Sequence, residues 1–172
     1  QDGGVLMAAW QAAPAVPPDT FGRQVMAVEG LEGQRLLYSL SWDMGTTWLP
    51  AEEVPTHAHH TREERQPFPH AVWSPVLHSD DSTGRVLLFY SESSSCWRPT
   101  QPPTWEPGGE LRVMEVSGLG VAGQQATWSA PRTLLKHSEG IPQVIANKLA
   151  VPPNGAWVLP YWRGEPRFAR IA

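Results

Sequence analysis

The feature that most limits what this chain can fold into is its punctuation. Short apolar runs bounded by Gly, Pro, Asn or Asp recur from end to end, and none reaches helix length with a 3.6-residue period. Runs of this kind read as strands. They are Val5–Trp10, Gln34–Leu40, a short piece at Trp48–Val54, Ala71–His78, Arg85–Ser91, Leu111–Val116, Thr127–Leu135, Ile145–Val151, Ala156–Trp162 and Arg167–Ile171. Between them Asp2-Gly3-Gly4, Ser82-Thr83-Gly84 and Pro153-Asn154-Gly155 supply residues that tolerate positive φ. Composition points the same way. Nine Trp, 18 Pro and 15 Gly beside only 17% charged residues leave little of the Glu/Lys/Ala surface that helical proteins carry. The chain is expected to be all-β.

A length of 172 residues with 41% hydrophobic content supports one domain with a real core. Thirteen Lys and Arg against 17 Asp and Glu, a net charge of −4, supply no basic face for phosphate neutralisation, so no nucleic-acid partner is expected. No apolar run approaches the ~20 residues of a membrane span. Cys96 has no second cysteine for an internal disulfide or a Cys-based zinc site. His57, His59, His60 and His70 have no Asp or Glu at a spacing that a strand or helix would turn into a ligand set, so neither a metal nor another cofactor is expected. The chain opens on Gln1 and enters a strand-like run at once, which reads as a missing natural N-terminus; the sequence assigns no compartment.

The strands also repeat as a set. Three times, strands joined by a Gly-containing hairpin or loop lead toward a Thr-Trp element: Thr47-Trp48-Leu49-Pro50, then Thr127-Trp128-Ser129-Ala130-Pro131, with a third set beginning near Ile145. The long Ser93–Gly109 connection inflates the second set, and without it the spacing falls toward the ~40–60 residues of a propeller blade. The expected units are about 1–55, 70–136 and 141–172. Long connections at Ala12–Phe21, Ala51–Pro69 and Ser93–Gly109 are where binding sites usually sit on such a scaffold.

One octapeptide, Ser41-Trp42-Asp43-Met44-Gly45-Thr46-Thr47-Trp48, gathers a carboxylate, a glycine, three hydroxyls and two indoles. Its chemistry is that of a turn. Asp43 can accept backbone N–H bonds, Gly45 can take positive φ, and Trp48 can bury its ring between sheets.

The octapeptide matches S-x-D-x-G-x-T-W and so resembles the Asp box of sialidases (neuraminidases) and their relatives, with Ser41, Asp43, Gly45, Thr47 and Trp48 at the fixed positions. Other stretches follow in order. Asp2-Gly3-Gly4-Val5-Leu6 resembles the family's "DGTLL" hairpin, and Glu29-Gly30 its "EG" element. Trp73-Ser74-Pro75-Val76-Leu77 resembles "W-N-P-V-L", Arg85–Tyr90 resembles "G-x-L-x-L-F-Y", and Asn147-Lys148 falls where relatives carry "N-K-P". The resemblance implies a six-bladed β-propeller of sialidase type with bacterial neuraminidase repeats, of which this chain covers two to three blades, the missing blades coming from the rest of the chain. It places the Asp box on the face opposite the active site.

The resemblance further implies a glycan or glycoconjugate partner and an exo-glycosidase acting on terminal sialic acid or a similar sugar. Glycoside hydrolysis needs an acid and a nucleophile or base flanking the bond. The family's arginine triad and Tyr/Glu pair would lie outside these residues, and Gly33 stands where relatives place an Asp, leaving Glu29 and Glu32 as the catalytic candidates. Asn147, Lys148, Trp73, Ser74 and Trp162 are the candidates for substrate contact, with Tyr90, Trp97 and Trp105 as further rings for sugar stacking; core packing is the rival role for Trp73 and Tyr90. Ser74 and Leu149 replace the relatives' Asn and Pro. The alternative function is a propeller that binds glycan or protein without turnover.

Overall fold

The computed structural model of the chain describes residues 4–13, 30, 33–56, 71–93, 109–119, 122–136, 143–146, 148–163 and 166–171. They form strands, turns and bends, with no helix among them. Eleven strands are present: β1 Leu6–Ala12, β2 Arg35–Ser41, β3 Glu52–Glu53, β4 Ala71–Asp80, β5 Arg85–Ser93, β6 Glu110–Ser117, β7 Thr127–Trp128, β8 Arg132–Leu135, β9 Gln143–Ile145, β10 Trp157–Arg163 and β11 Pro166–Ile171. They build three open antiparallel sheets in the orders β1-β2-β3, β4-β5-β6-β7 and β11-β10-β9, with β8 also pairing β6.

The period-2 alternation of strand side chains divides the core in two. Leu36, Tyr38 and Leu40 of β2 pack with Val72, Leu88, Tyr90 and Met114 of the second sheet. On that sheet's other face Leu87, Phe89, Leu111 and Val113 pack with Ile145, Leu149 and Leu159. The second sheet is therefore buried on both faces, which is why Leu87-Leu88-Phe89-Tyr90 is apolar without interruption. Each of these side chains contributes about 1.5–3 kcal/mol on burial.

Several expected strands come out shorter, each beside a proline, which has no N–H for the ladder. The run Thr127–Leu135 splits into β7 and β8 around Pro131, with the Ser129 N–H donating to the Glu115 carbonyl at 2.9 Å. Trp48–Val54 contracts to Glu52–Glu53 after Pro50. Ile145–Val151 stops pairing at Ile145, and Ala150 forms an isolated bridge to Val158 before Pro152 and Pro153.

Trp48 departs from expectation. It is 45% exposed and does not lie between sheets. Its repeat counterpart Trp128 packs edge-on against Tyr38 of the preceding sheet, with ring centroids 5.1 Å apart. No described sheet precedes the first, so Trp48 has nothing equivalent to cover it.

The connectivity sorts the chain into two ends. The connections β1 to β2, β3 to β4, β5 to β6 and β8 to β9 leave and re-enter at one end of the sheets. The 42–48 turn and the short β4–β5 turn lie at the other.

Candidate functional site

At the turn end, every polar group of the Asp43 side chain is engaged locally. Its Oδ1 accepts from the Ser41 hydroxyl and the Thr47 N–H, each at 2.8 Å, and its Oδ2 accepts from the Thr47 hydroxyl at 2.6 Å. The Ser41 hydroxyl in turn accepts from the Gly45 N–H at 2.8 Å, and the Asp43 carbonyl accepts from the Thr46 hydroxyl at 2.9 Å. Met44 and Gly45 both take positive φ, 59° and 89°, to close the turn. The Thr47 hydroxyl, followed by the Thr47 N–H, draws the Asp43 pKa down to about 2. A carboxylate held ionised in this way ties a turn; it does not deliver protons near neutral pH.

The loop-bearing end differs. Strand β4 breaks register with β5 between Trp73 and Val76, where Pro75 has no N–H to give. Ser74 sits there at φ 53°, a left-handed conformation that costs a non-glycine residue on the order of 1–3 kcal/mol. Its N–H donates to the Gln11 side-chain carbonyl of β1 at 2.9 Å. The bulge thus carries a fixed shape. Ser74 to Leu77 form one wall of an open hollow of about 430 Å³, and Ile145, Ala146 and Lys148 form the other.

Two of the substrate-contact candidates, Ser74 and Lys148, therefore meet at this hollow. Trp162 lies opposite Val144 in the β9–β10 ladder and is 48% exposed, an open aromatic face at the same end. Trp73 is 1% exposed and packs with Ala71 and Val144, so its ring offers no face to a sugar and takes the core role. Tyr90 is likewise fully buried. Glu29, Glu32, Asn147, Trp97, Trp105 and the four histidines 57, 59, 60 and 70 lie outside the described residues. Among the described residues no group of His, Cys, Asp or Glu has the geometry to hold a metal ion.

A second polar group at the same end was not anticipated from the sequence. Arg112 of β6 lies between two carboxylates, with Nε 2.7 Å from Glu92 Oε2 and Nη2 2.7 Å from Glu110 Oε2. The Thr133 hydroxyl donates to the same Glu110 oxygen at 3.3 Å. The ladder builds the group directly, because Glu92 faces Glu110 and Tyr90 faces Arg112 across β5 and β6. Only 4% of the Glu92 side chain is exposed. Burial, then the charge of Glu92, pushes the Tyr90 hydroxyl pKa far up. The Tyr90 hydroxyl and the Trp73 indole N–H are buried without an acceptor among the described residues. The signal available in the sequence was a charge inside an apolar strand, Glu92 next to last in "RVLLFYSES" and Arg112 within "ELRVMEVS". Such a charge is stable only when paired.

No protein-family model matches the chain, and no curated protein matches it. Among solved structures the chain is similar to the Hadza microbial sialidase Hz136, with a TM-score of 0.63 at 16% sequence identity. The match covers 98% of this chain and 32% of that one, so the chain spans about a third of that protein's length. At this identity the likeness is one of fold.

Proposed function

We propose that this chain is part of a sialidase-like β-propeller, with its three sheets as successive blades, and that the parent protein processes glycans at the loop-bearing end. The observation that carries the proposal is the Ser74 bulge. A strained, proline-locked segment, hydrogen-bonded to Gln11, forms one wall of a hollow opposite Lys148. Strain of this kind persists where the surroundings hold a functional geometry in place. The Ser74 hydroxyl and the Lys148 ammonium supply polar contacts for sugar hydroxyls or a carboxylate, with Trp162 as a stacking face and Asn147, the sequence neighbour of Lys148, as a further candidate. The Asp43 turn lies at the opposite end and serves stability.

In this reading the parent is an exo-glycosidase acting on terminal sialic acid or a similar sugar, with Glu29 or Glu32 as the acid and the remaining groups outside these residues. A second reading, glycan binding without turnover, is favoured by Gly33 and by the pairing of Glu92 and Glu110. Gly33 adopts φ 77°, a conformation that favours glycine over the acid found in relatives. Glu92 and Glu110 are engaged by Arg112. Hydrolysis of a fluorogenic sialoside by the full-length protein, paired with a glycan array, decides between them. Turnover that falls in Ser74→Ala and Lys148→Ala variants of unchanged melting temperature supports the enzyme. Array binding without turnover supports the second reading, and neither binding nor turnover defeats both.

A further inference from the structure

The two walls of the hollow belong to different sheets, Ser74 to Leu77 to the second and Ile145, Ala146 and Lys148 to the third. Both β4 and β9 stand at the edge of their sheets, with no ladder partner on the outer side among the described residues. What fixes one wall relative to the other is therefore side-chain contact between sheets, and not a β-ladder.

Three consecutive residues of β9 are held from the second sheet. The Gln143 side-chain amide donates to the Lys136 carbonyl, just past β8, at 2.9 Å. Gly109 lets the strand come close, since a Cβ there would lie 2.8 Å from the Gln143 carbonyl oxygen. Val144 packs on Ala71 and Trp73. The Ile145 N–H donates to the Ser91 hydroxyl of β5 at 3.0 Å. The next N–H, that of Ala146, goes to the Pro160 carbonyl of β10, so the Ile145 N–H is the one that strand alternation turns out of its own ladder. Ser91 is fully buried and lies opposite Trp73, the residue before Ser74, across β4 and β5. One side chain thus stands behind both walls.

The internal repeat shows the same device twice. The Leu49 N–H donates to the Leu40 carbonyl and the Ser129 N–H to the Glu115 carbonyl, both at 2.9 Å, which makes Leu40 the counterpart of Glu115. Met7 faces Leu40 as Leu87 faces Glu115, so Gln11, four residues past Met7, corresponds to Ser91, four past Leu87. Gln11 takes the N–H of Ser74, and Ser91 takes the N–H of Ile145. At equivalent positions, a side-chain oxygen of one sheet accepts a backbone N–H from the edge strand of the next.

We infer that Ser91 is a positioning residue of the hollow: through the Ile145 N–H it holds the wall that carries Lys148 at a set distance from the Ser74 bulge. Its bearing on ligand affinity rests on the glycan site proposed above. Ser91 is too deeply buried to touch a ligand. Without its hydroxyl the Ile145 N–H loses its acceptor and the edge bearing Lys148 loosens, so affinity falls although both contact side chains remain.

A thio-linked sialoside, which resists hydrolysis, titrated into the full-length protein tests this. Ser91→Ala weakens binding by roughly 2- to 30-fold. Ser91→Thr, which keeps the hydroxyl, loses less than the near-isosteric Ser91→Val, which does not. Ser91→Ala and Lys148→Ala together cost less than the product of their separate losses, because a displaced lysine has less affinity to give up. Losses that multiply overturn the inference, since a general weakening of the fold would not single out Lys148; so does Ser91→Val binding as well as Ser91→Thr. Amide hydrogen exchange reads the wall without a ligand, and quickens at Ile145 and Lys148 in Ser91→Ala. Exchange unchanged at both overturns the inference whether or not the sialoside binds. A parent protein that does not bind the sialoside, with exchange quickened in Ser91→Ala, defeats the proposed function while upholding the hold of Ser91 on the wall.

Discussion

The backbone N–H of Ser74 and the side-chain carbonyl of Gln11, 63 residues apart, meet at 2.9 Å and join β4 to β1. Removing the acceptor leaves a partly buried donor unpaired at a strained residue. Gln11→Ala should therefore lower stability by about 1–3 kcal/mol, while Gln11→Glu, which keeps an acceptor, should lose less. Urea denaturation of both variants checks the order. An equal loss in the two would mean that the bond does not hold the bulge.

Ser74→Gly separates backbone strain from side-chain contact. Glycine adopts φ 53° freely, so relief of strain offsets the greater entropy of its unfolded chain and the variant should be at least as stable as the parent. If Ser74 contacts ligand through its hydroxyl, glycan affinity should fall in the same variant. Calorimetry and array binding read the two effects independently.

The Asp43 carboxyl has a folded pKa of about 2 against an ordinary value of 3.8. A depressed carboxylate contributes stability above its unfolded pKa and loses that contribution as pH falls through the folded one. The chain should weaken between about pH 4 and pH 2, and Asp43→Asn should flatten that part of the curve. Asp80, held low by the hydroxyls of Ser82 and Thr83, adds to the same acid limb. Acid titrations of melting temperature for parent and Asp43→Asn make the comparison; curves of identical slope would remove Asp43 from the account.

Arg112 is held by two glutamates, so taking away its charge removes a counter-charge from each. Arg112→Met should cost about 1–3 kcal/mol, because Glu92 is buried while Arg112 and Glu110 keep part of their side chains in solvent. The Glu92→Gln, Arg112→Met double variant should cost less than the sum of the two single changes. A double-mutant cycle by denaturant unfolding measures the coupling.

Tyr90 limits the alkaline side. Its pKa is raised by burial, so the folded state favours the neutral phenol; that contribution is complete below the ordinary pKa of 10.0 and fades as pH climbs past it. Tyr90→Phe removes a buried hydroxyl that has no acceptor among the described residues, and should leave stability at neutral pH equal or higher while extending it above about pH 10. A loss of stability at pH 7 would reveal a partner for that hydroxyl.

The strands were legible because their signal is local. Alternation in Leu36, Tyr38 and Leu40 and the uninterrupted Leu87-Leu88-Phe89-Tyr90 reflect burial on one face and on two. The chemistry of the Asp43 turn was legible for the same reason, since all its partners lie within six residues of Ser41. What escaped depends on register. Nothing near Glu92 announces Arg112, because their meeting is set by how β5 pairs with β6. Nothing near Gln11 announces Ser74. The fate of Trp48 depended on a neighbouring sheet, which no local pattern records.

The order of the sheets along the chain also bears on synthesis. Each sheet pairs strands close in sequence, so the first can form as soon as β3 has been made. Among the described residues, its inner face, Leu36, Tyr38 and Leu40, packs against residues of the second sheet such as Leu88 and Tyr90. At 5–20 residues per second, roughly 3–10 s separate the synthesis of Tyr38 from that of Tyr90. For that interval the nascent chain presents a formed but uncovered apolar sheet outside the ribosome, the stage at which a chaperone would be needed most.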